Sequence, residues 1–227
     1  ALIMATSGTT TFDLNVAELI EEAFERCGLE LRTGYDLETA RRSLNLMFAE
    51  WANRGLNLWV IVERTEDLTE STTSYDLDTD LINVLSAVVR RTSGSTYTDY
   101  QLNRMSRSDY LYLPNKAVEA RPTQFYLERT VTPKLYLYPT PDDSTDVFRY
   151  YALTRIEDAG DYTNTLDITF QFLPAMAAGL AYYISLKRAP DRMGMLKEIY
   201  EEEWGRAASE NIDTVSSRFI PARTVIN

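Results

Sequence analysis

Residues 37–62 read LETARRSLNLMFAEWANRGLNLWVIV, and the change of rhythm inside this stretch decides the fold class. Leu37, Ala40, Leu44, Met47, Phe48 and Trp51 recur at intervals of three and four, one apolar stripe on a helix over about 37–54. Gly55 stops that pattern. From Leu56 the period becomes two, and Leu58-Trp59-Val60-Ile61-Val62 reads as a strand. Asp36 stands where an N-cap is wanted, because its short side chain can accept from the first free amides of the helix.

Upstream, Val16, Leu19, Ile20, Ala23, Phe24 and Cys27 predict a second amphipathic helix over about 16–27. Asn15 with Glu18 makes a capping box, Leu14 with Leu19 a hydrophobic staple, and Gly28 a C-terminal stop. The connection from Leu29 to Tyr35 is short, so the two helices are expected to pack antiparallel.

Downstream, strands are expected near 73–77, 83–91, 124–130, 134–139 and 146–154. Val131-Thr132-Pro133 closes a hairpin between the third and fourth of these, and Pro139-Thr140-Pro141-Asp142-Asp143 is a turn. Ser106 caps a short helix reaching about Leu113. Helical signals return near Thr169, where Pro174 suits a first turn. Leu173, Met176, Ala177, Leu180, Ala181 and Ile184, with small Ala178 and Gly179, predict a helix buried on most sides. A last helix spans about 191–208. Its Glu201-Glu202-Glu203 run reads as a solvated face. The resulting expectation is an α+β chain, an antiparallel bundle of about four helices with an inserted β-rich domain. It divides into an N-terminal arm (1–11), a helical pair (12–55), a β-rich region (56–166), a second helical pair (167–208) and an extended tail (209–227).

Composition narrows the chemistry. The 227 residues hold one cysteine and no histidine, so an intrachain disulfide, histidine-based acid–base catalysis and most zinc sites are excluded. Cys27 lies on an apolar helix face and reads as a small core residue. The net charge is −11, and no segment concentrates lysine and arginine, so tight phosphate binding is not expected. DNA could still slide past an acidic wall. No window approaches the roughly 20 apolar residues of a membrane helix. The arm from Ala1 to Thr11 has no basic residue before its apolar patch, and reads as a flexible arm rather than a signal peptide.

No nucleotide-binding, nucleophile-elbow or zinc-protease motif is present. Asp76-Leu77-Asp78-Thr79-Asp80 resembles the opening of a calcium loop but lacks its glycine and its closing glutamate, which here is Ala87; an acidic turn is the plainer reading. Asp142-Asp143 and Glu157-Asp158 are candidate paired carboxylates for a hydrolase, with ordinary turn acids as the alternative. The expectation is no catalytic residue, no metal and no cofactor. Of 15 tyrosines, most fall between Tyr97 and Tyr162; they serve either strand packing or half-wet contact surfaces. The tail ends in apolar residues spaced by arginines, Arg218, Phe219, Ile220, Pro221, Arg223, Val225 and Ile226. These dock either on their own domain or on a partner, and are the candidate partner-binding residues.

Three stretches carry a resemblance: Ala23-Phe24-Glu25-Arg26-Cys27-Gly28, then Ala40 to Met47, and above all Trp51-Ala52-Asn53-Arg54-Gly55-Leu56-Asn57-Leu58-Trp59. With Tyr136-Leu137-Tyr138-Pro139-Thr140-Pro141-Asp142 and a helix pair after the strands, the layout over about 12–208 resembles the head-to-tail adaptor family of short-tailed phages. That family is also called packaged-DNA-stabilisation protein or tubular tail protein A. The resemblance implies a virion protein at the head–tail junction, assembled in the host cytoplasm, with no enzymatic activity. It implies a homo-oligomeric ring, usually of twelve subunits, beneath the portal protein. Such a ring prolongs the DNA channel, helps retain the genome and carries the tail nozzle or tube. Double-stranded DNA passes without sequence-specific binding, and the C-terminal residues form the portal-docking arm. The alternatives are a tail-associated module recognising carbohydrate or a receptor, and a carboxylate hydrolase.

Overall fold

The computed structural model describes residues 12–54, 60–166 and 168–210. Helix α1 spans Val16–Arg26 and α2 spans Gly34–Arg54. The α1 capping box forms as its sequence dictates: the Glu18 amide donates to Asn15 Oδ1 at 2.9 Å, and the Asn15 amide donates to Glu18 Oε2 at 3.1 Å. Leu14 packs against the same core that buries Leu19. At α2 the cap is one turn earlier than expected. Thr33 accepts from the Asp36 amide, and its hydroxyl donates to Asp36 Oδ2 at 3.0 Å. Asp36 therefore lies inside the first turn, buried, where Arg188 reaches it at 2.6 Å. Aspartate ranks above threonine as a cap, so local preference favours Asp36, and tertiary pairing with Arg188 overrides it.

The strands run β1 (Ile61–Asp67), β2 (Ser74–Asp76), β3 (Leu81–Ser93), β4 (Thr96–Gln101), β5 (Asn103–Arg104), β6 (Gln124–Glu128), β7 (Lys134–Tyr138) and β8 (Val147–Thr154), with a short helix α3 (Arg107–Tyr112) between β5 and β6. Two four-stranded sheets result, ordered β1-β8-β3-β4 and β2-β7-β6-β5. All pairings are antiparallel except β5 with β6. The inward residues of both sheets make one core. Phe148, Tyr150, Ala152, Ala87 and Val89 come from the first sheet, and Phe125, Leu127, Leu135, Leu137 and Tyr75 from the second. The Phe125 and Phe148 rings meet across it, 6.1 Å apart. This is a sandwich assembled by period-two burial.

Two strand expectations change. The first strand begins at Ile61 and continues through Glu63-Arg64-Thr65-Glu66-Asp67, not at Leu58; Gly55 to Trp59 lie outside the described residues. Its polar composition suits an edge position beside β8, where only one side of the ladder is paired. Strand β4 and the two-residue β5 were not expected. Thr96-Tyr97-Thr98-Asp99-Tyr100-Gln101 is almost wholly exposed, so no apolar alternation betrays it, and its hairpin with β3 turns on Gly94 at φ 63°.

After a turn of 3₁₀ helix at Phe170–Phe172, α4 runs Leu173–Arg188 and α5 runs Met193–Glu210. The chain is thus α+β, with five α-helices among the described residues. What the structure supports of the helical arrangement is coarser than a four-helix bundle: α4 packs against α1, α2 and α5, and the four share one core. The small residues Ala175, Ala177, Ala178, Gly179 and Ala181 let neighbours approach α4 closely, and each is buried. Cys27 is buried there too, its thiol donating to the Ala181 carbonyl at 3.2 Å, and burial pushes that thiol's pKa up.

At Gly179 a Cβ would stand 2.5 Å from Met47 Sδ and 2.7 Å from Tyr200 Cε2. Methionine can move aside, but the Tyr200 ring is held by its own hydrogen bonds. Gly179→Ala gains about 1 kcal/mol of helix propensity. Overpacking costs about 1–3 kcal/mol. The expected net result is a lower melting midpoint in thermal denaturation, against the usual gain from glycine to alanine in a helix.

Candidate interaction surfaces

The acidic turns are ion-paired. Arg64 on β1 holds Asp80 at 2.5 Å and Asp78 at 2.9 Å, and Lys134 holds Asp76 at 3.1 Å. The hydrogen bond from Arg64 keeps the Asp80 carboxyl below its ordinary range. The calcium-loop candidate is therefore three carboxylates already facing cations. No group of three or more metal-ligating side chains lies together among the described residues. Asp142 is paired with Arg91, and Asp143 accepts from the Thr145 amide and hydroxyl at 2.8 Å. The cavities lined by Asp158 include neither Asp142 nor Asp143.

Arg91 reaches from β3 to Asp146, whose side chain is fully buried, through contacts at 2.9 and 2.6 Å. This pair ties β3 to the segment entering β8. The Asp146 carbonyl also accepts from the Leu68 amide.

The outer face of the β1-β8-β3-β4 sheet is polar. Arg90 forks onto Asp99 through two bonds of 2.7 Å, lies 3.9 Å from the Tyr97 ring centre, and sits beside the Arg149–Glu63 pair. Tyr97 and Tyr151 are open to solvent on this face, while Tyr150 points inward. Burial pushes the Tyr150 hydroxyl up to about 12. The tyrosine excess thus divides between packing and exposed surface.

These pairs fix an acid response. Arg64 lowers Asp80, Arg54 lowers Glu201 and Arg90 lowers Asp99, each chiefly by hydrogen bonding. A lowered carboxyl contributes stability that is complete above its unfolded pKa and is lost as pH falls through the folded one. Glu66 opposes them: burial first, then Asp67 and Asp78, raise it, so its ionised form disfavours folding. The lowered groups outnumber it. The melting midpoint is expected to hold steady near neutrality and to fall below about pH 4. A midpoint that rose on such acidification would contradict these pairings.

On the outside of the second sheet, α3 lies over β6 and β7. Tyr110 stacks on Tyr126 and packs on Tyr136, with ring centres 5.4 and 5.0 Å apart. A capping box of Ser106 and Asp109 fixes the start of α3. Lys116 donates to the Leu111 and Leu113 carbonyls at 3.2 Å and closes its end. Thr140 in turn binds the Lys116 carbonyl. On this braced turn Leu111 is 69% and Tyr112 79% exposed. The sequence carried a signal for them: a capped helix with Tyr110-Leu111-Tyr112 in a row can turn only part of that row inward.

The candidate docking residues Arg218, Phe219, Ile220, Pro221, Arg223, Val225 and Ile226 lie outside the described residues. What precedes them is well anchored. Trp204 of α5 packs on Trp51 and Phe172, with ring centres 4.7 and 5.3 Å apart. Arg54 grips Glu201 with two bonds of 2.7 and 2.8 Å and lies over the Tyr200 and Trp204 rings.

Against models of protein families, residues 14–223 match the one described as SU10 adaptor protein. The match takes in every helix and strand described above. A search of curated proteins finds no match.

Proposed function

The chain belongs to the SU10 adaptor protein family, and on that premise we propose that it forms a multi-copy ring beneath a phage portal. The family suggests a structural, non-enzymatic component of the virion at the head–tail junction. In the proposed reading the ring extends the DNA channel, helps retain the packaged genome and carries the tail nozzle or tube. The observation that carries it is the match over residues 14–223, which spans both the helical core and the sandwich. The acidic balance agrees with it: the net charge is −11, and about half of the cations among the described residues are held by carboxylates, so DNA could pass without sticking. Subunit contacts in such a ring are heterologous and closed.

Portal attachment is assigned to the C-terminal segment, with Phe219 and Ile220 entering an apolar groove and Arg218 and Arg223 meeting acidic or carbonyl acceptors at its edge. α5 ends at Glu210, so the deletion that tests this removes 211–227. The shortened chain is expected to keep its circular dichroism and melting midpoint and to lose retention by immobilised portal protein. Full-strength retention would overturn the assignment. Particles lacking the full chain are expected to lose tails and leak DNA.

A further inference from the structure

The helical core and the sandwich are two bodies on one chain. Leu44, Met47, Met176 and Tyr200 belong to the first, Val89, Phe125, Leu135 and Phe148 to the second, and the two cores share no residue. Among the described residues, no hydrogen bond or ion pair joins α1, α2, α4 or α5 to a strand. The chain crosses from one body to the other twice, between α2 and β1 and again after β8.

Both crossings leave the sandwich at one point. Ile61 of β1 stands opposite Leu153 of β8, and just beyond that pair the Thr154 hydroxyl donates to the Val60 carbonyl at 3.0 Å. The Arg155 amide still donates to the Asp80 carbonyl, at 2.9 Å, so Arg155 belongs with the sandwich. Ile156 already packs on the helical core. The segment after it is bound there: the Ala159 amide donates to Asn45 Oδ1 at 3.0 Å, and Arg41 donates to the Gly160 carbonyl at 3.2 Å. The chain therefore changes bodies between Arg155 and Ile156, beside the Val60–Thr154 bond. Two connections set far apart would brace one body against the other. Two that run side by side leave one axis, about which the sandwich can turn without stretching either.

The room for such a turn is present. A cleft of about 430 Å³ lies between α2 and the sandwich. Its α2 wall is Phe48, Ala49, Ala52 and Asn53, and of the strands only β3 reaches it, through Ile82. Ala49 and Asn53 are exposed, so the sandwich does not seal against α2. Bodies that share no large apolar interface move relative to one another by default.

We propose that the sandwich is a rigid arm that swings on the helical core about the Val60–Thr154 pivot, narrowing and widening the cleft. The device goes beyond the ring reading and does not depend on it. In a multi-copy assembly it would let one body stay seated while the other follows a partner.

Distances between paired spin labels in the full chain test this. The reporting pair is Lys197→Cys on α5 with Val131→Cys in the β6–β7 turn. The controls are Glu21→Cys with Lys197→Cys inside the helical body, and Thr98→Cys with Val131→Cys inside the sandwich. All four positions are exposed, and the native Cys27 is buried. The distance distribution between the bodies is expected to be roughly twice as broad as that of either control. A width no greater than the controls overturns the proposal, because the two bodies are then one rigid unit. Thr154→Val locates the axis. Without the hydroxyl the two crossings are no longer tied, and the distribution between the bodies is expected to broaden further while both controls keep their widths. An unchanged distribution in that variant, or a control that broadens with it, overturns the placing of the pivot at the Val60–Thr154 bond.

Discussion

Trp51→Ala is expected to lower stability by about 3–5 kcal/mol, read as a shift of the denaturant midpoint with the slope unchanged. Trp51 is fully buried, and its ring meets Phe48, Phe172 and Trp204 at 4.7–6.1 Å. Its indole N–H donates to the Tyr200 hydroxyl at 2.7 Å, and that hydroxyl donates to Glu50 at 2.7 Å. Removing the indole opens a large cavity where α2 and α5 meet, and it leaves Tyr200 one partner short. Burial and the Glu50 bond push the Tyr200 hydroxyl well above the ordinary tyrosine range, so it stays a protonated donor at any working pH. Trp51→Phe keeps most of the packing and loses the donor. It is expected to cost about 1–2 kcal/mol. A cost for Trp51→Ala no greater than that for Trp51→Phe would show that packing at this point contributes little.

Arg91→Ala ranks next, at about 3 kcal/mol. The guanidinium is the partner of a carboxylate with no solvent exposure, and its removal leaves Asp146 buried and unpaired between β3 and β8. Arg91 also holds Asp142, so the turn before β8 loses a second tie. The cost comes from the orphaned charge more than from the lost attraction. Adding Asp146→Asn to Arg91→Ala is therefore expected to recover part of the loss. Equal stability of single and double variants would show that water reaches Asp146 once the arginine is gone.

Legibility in the sequence followed how each element is held. α1 was readable to within one residue because its cap, staple and stripe are all local. β7 was readable because one face is buried, which imposes alternation, and β6 and β8 because their runs are rich in aromatic and aliphatic residues. β4 was not, because its residues are nearly all exposed and its place is set by pairing with β3. The α2 cap was misplaced because Asp36 answers to Arg188, more than a hundred residues away in the chain. Trp51 marked the family stretch and proves to be the hub of the helical core. The cleft between α2 and the sandwich was invisible in sequence, since Ala49, Ile82 and Ile156 come from three separate segments.

The grip of Arg54 on Glu201 and the Trp204 rings has a mechanical meaning. Glu210 is six residues beyond Trp204, roughly 9 Å along the axis. Tension on whatever follows Glu210 would reach that clasp within two turns of helix.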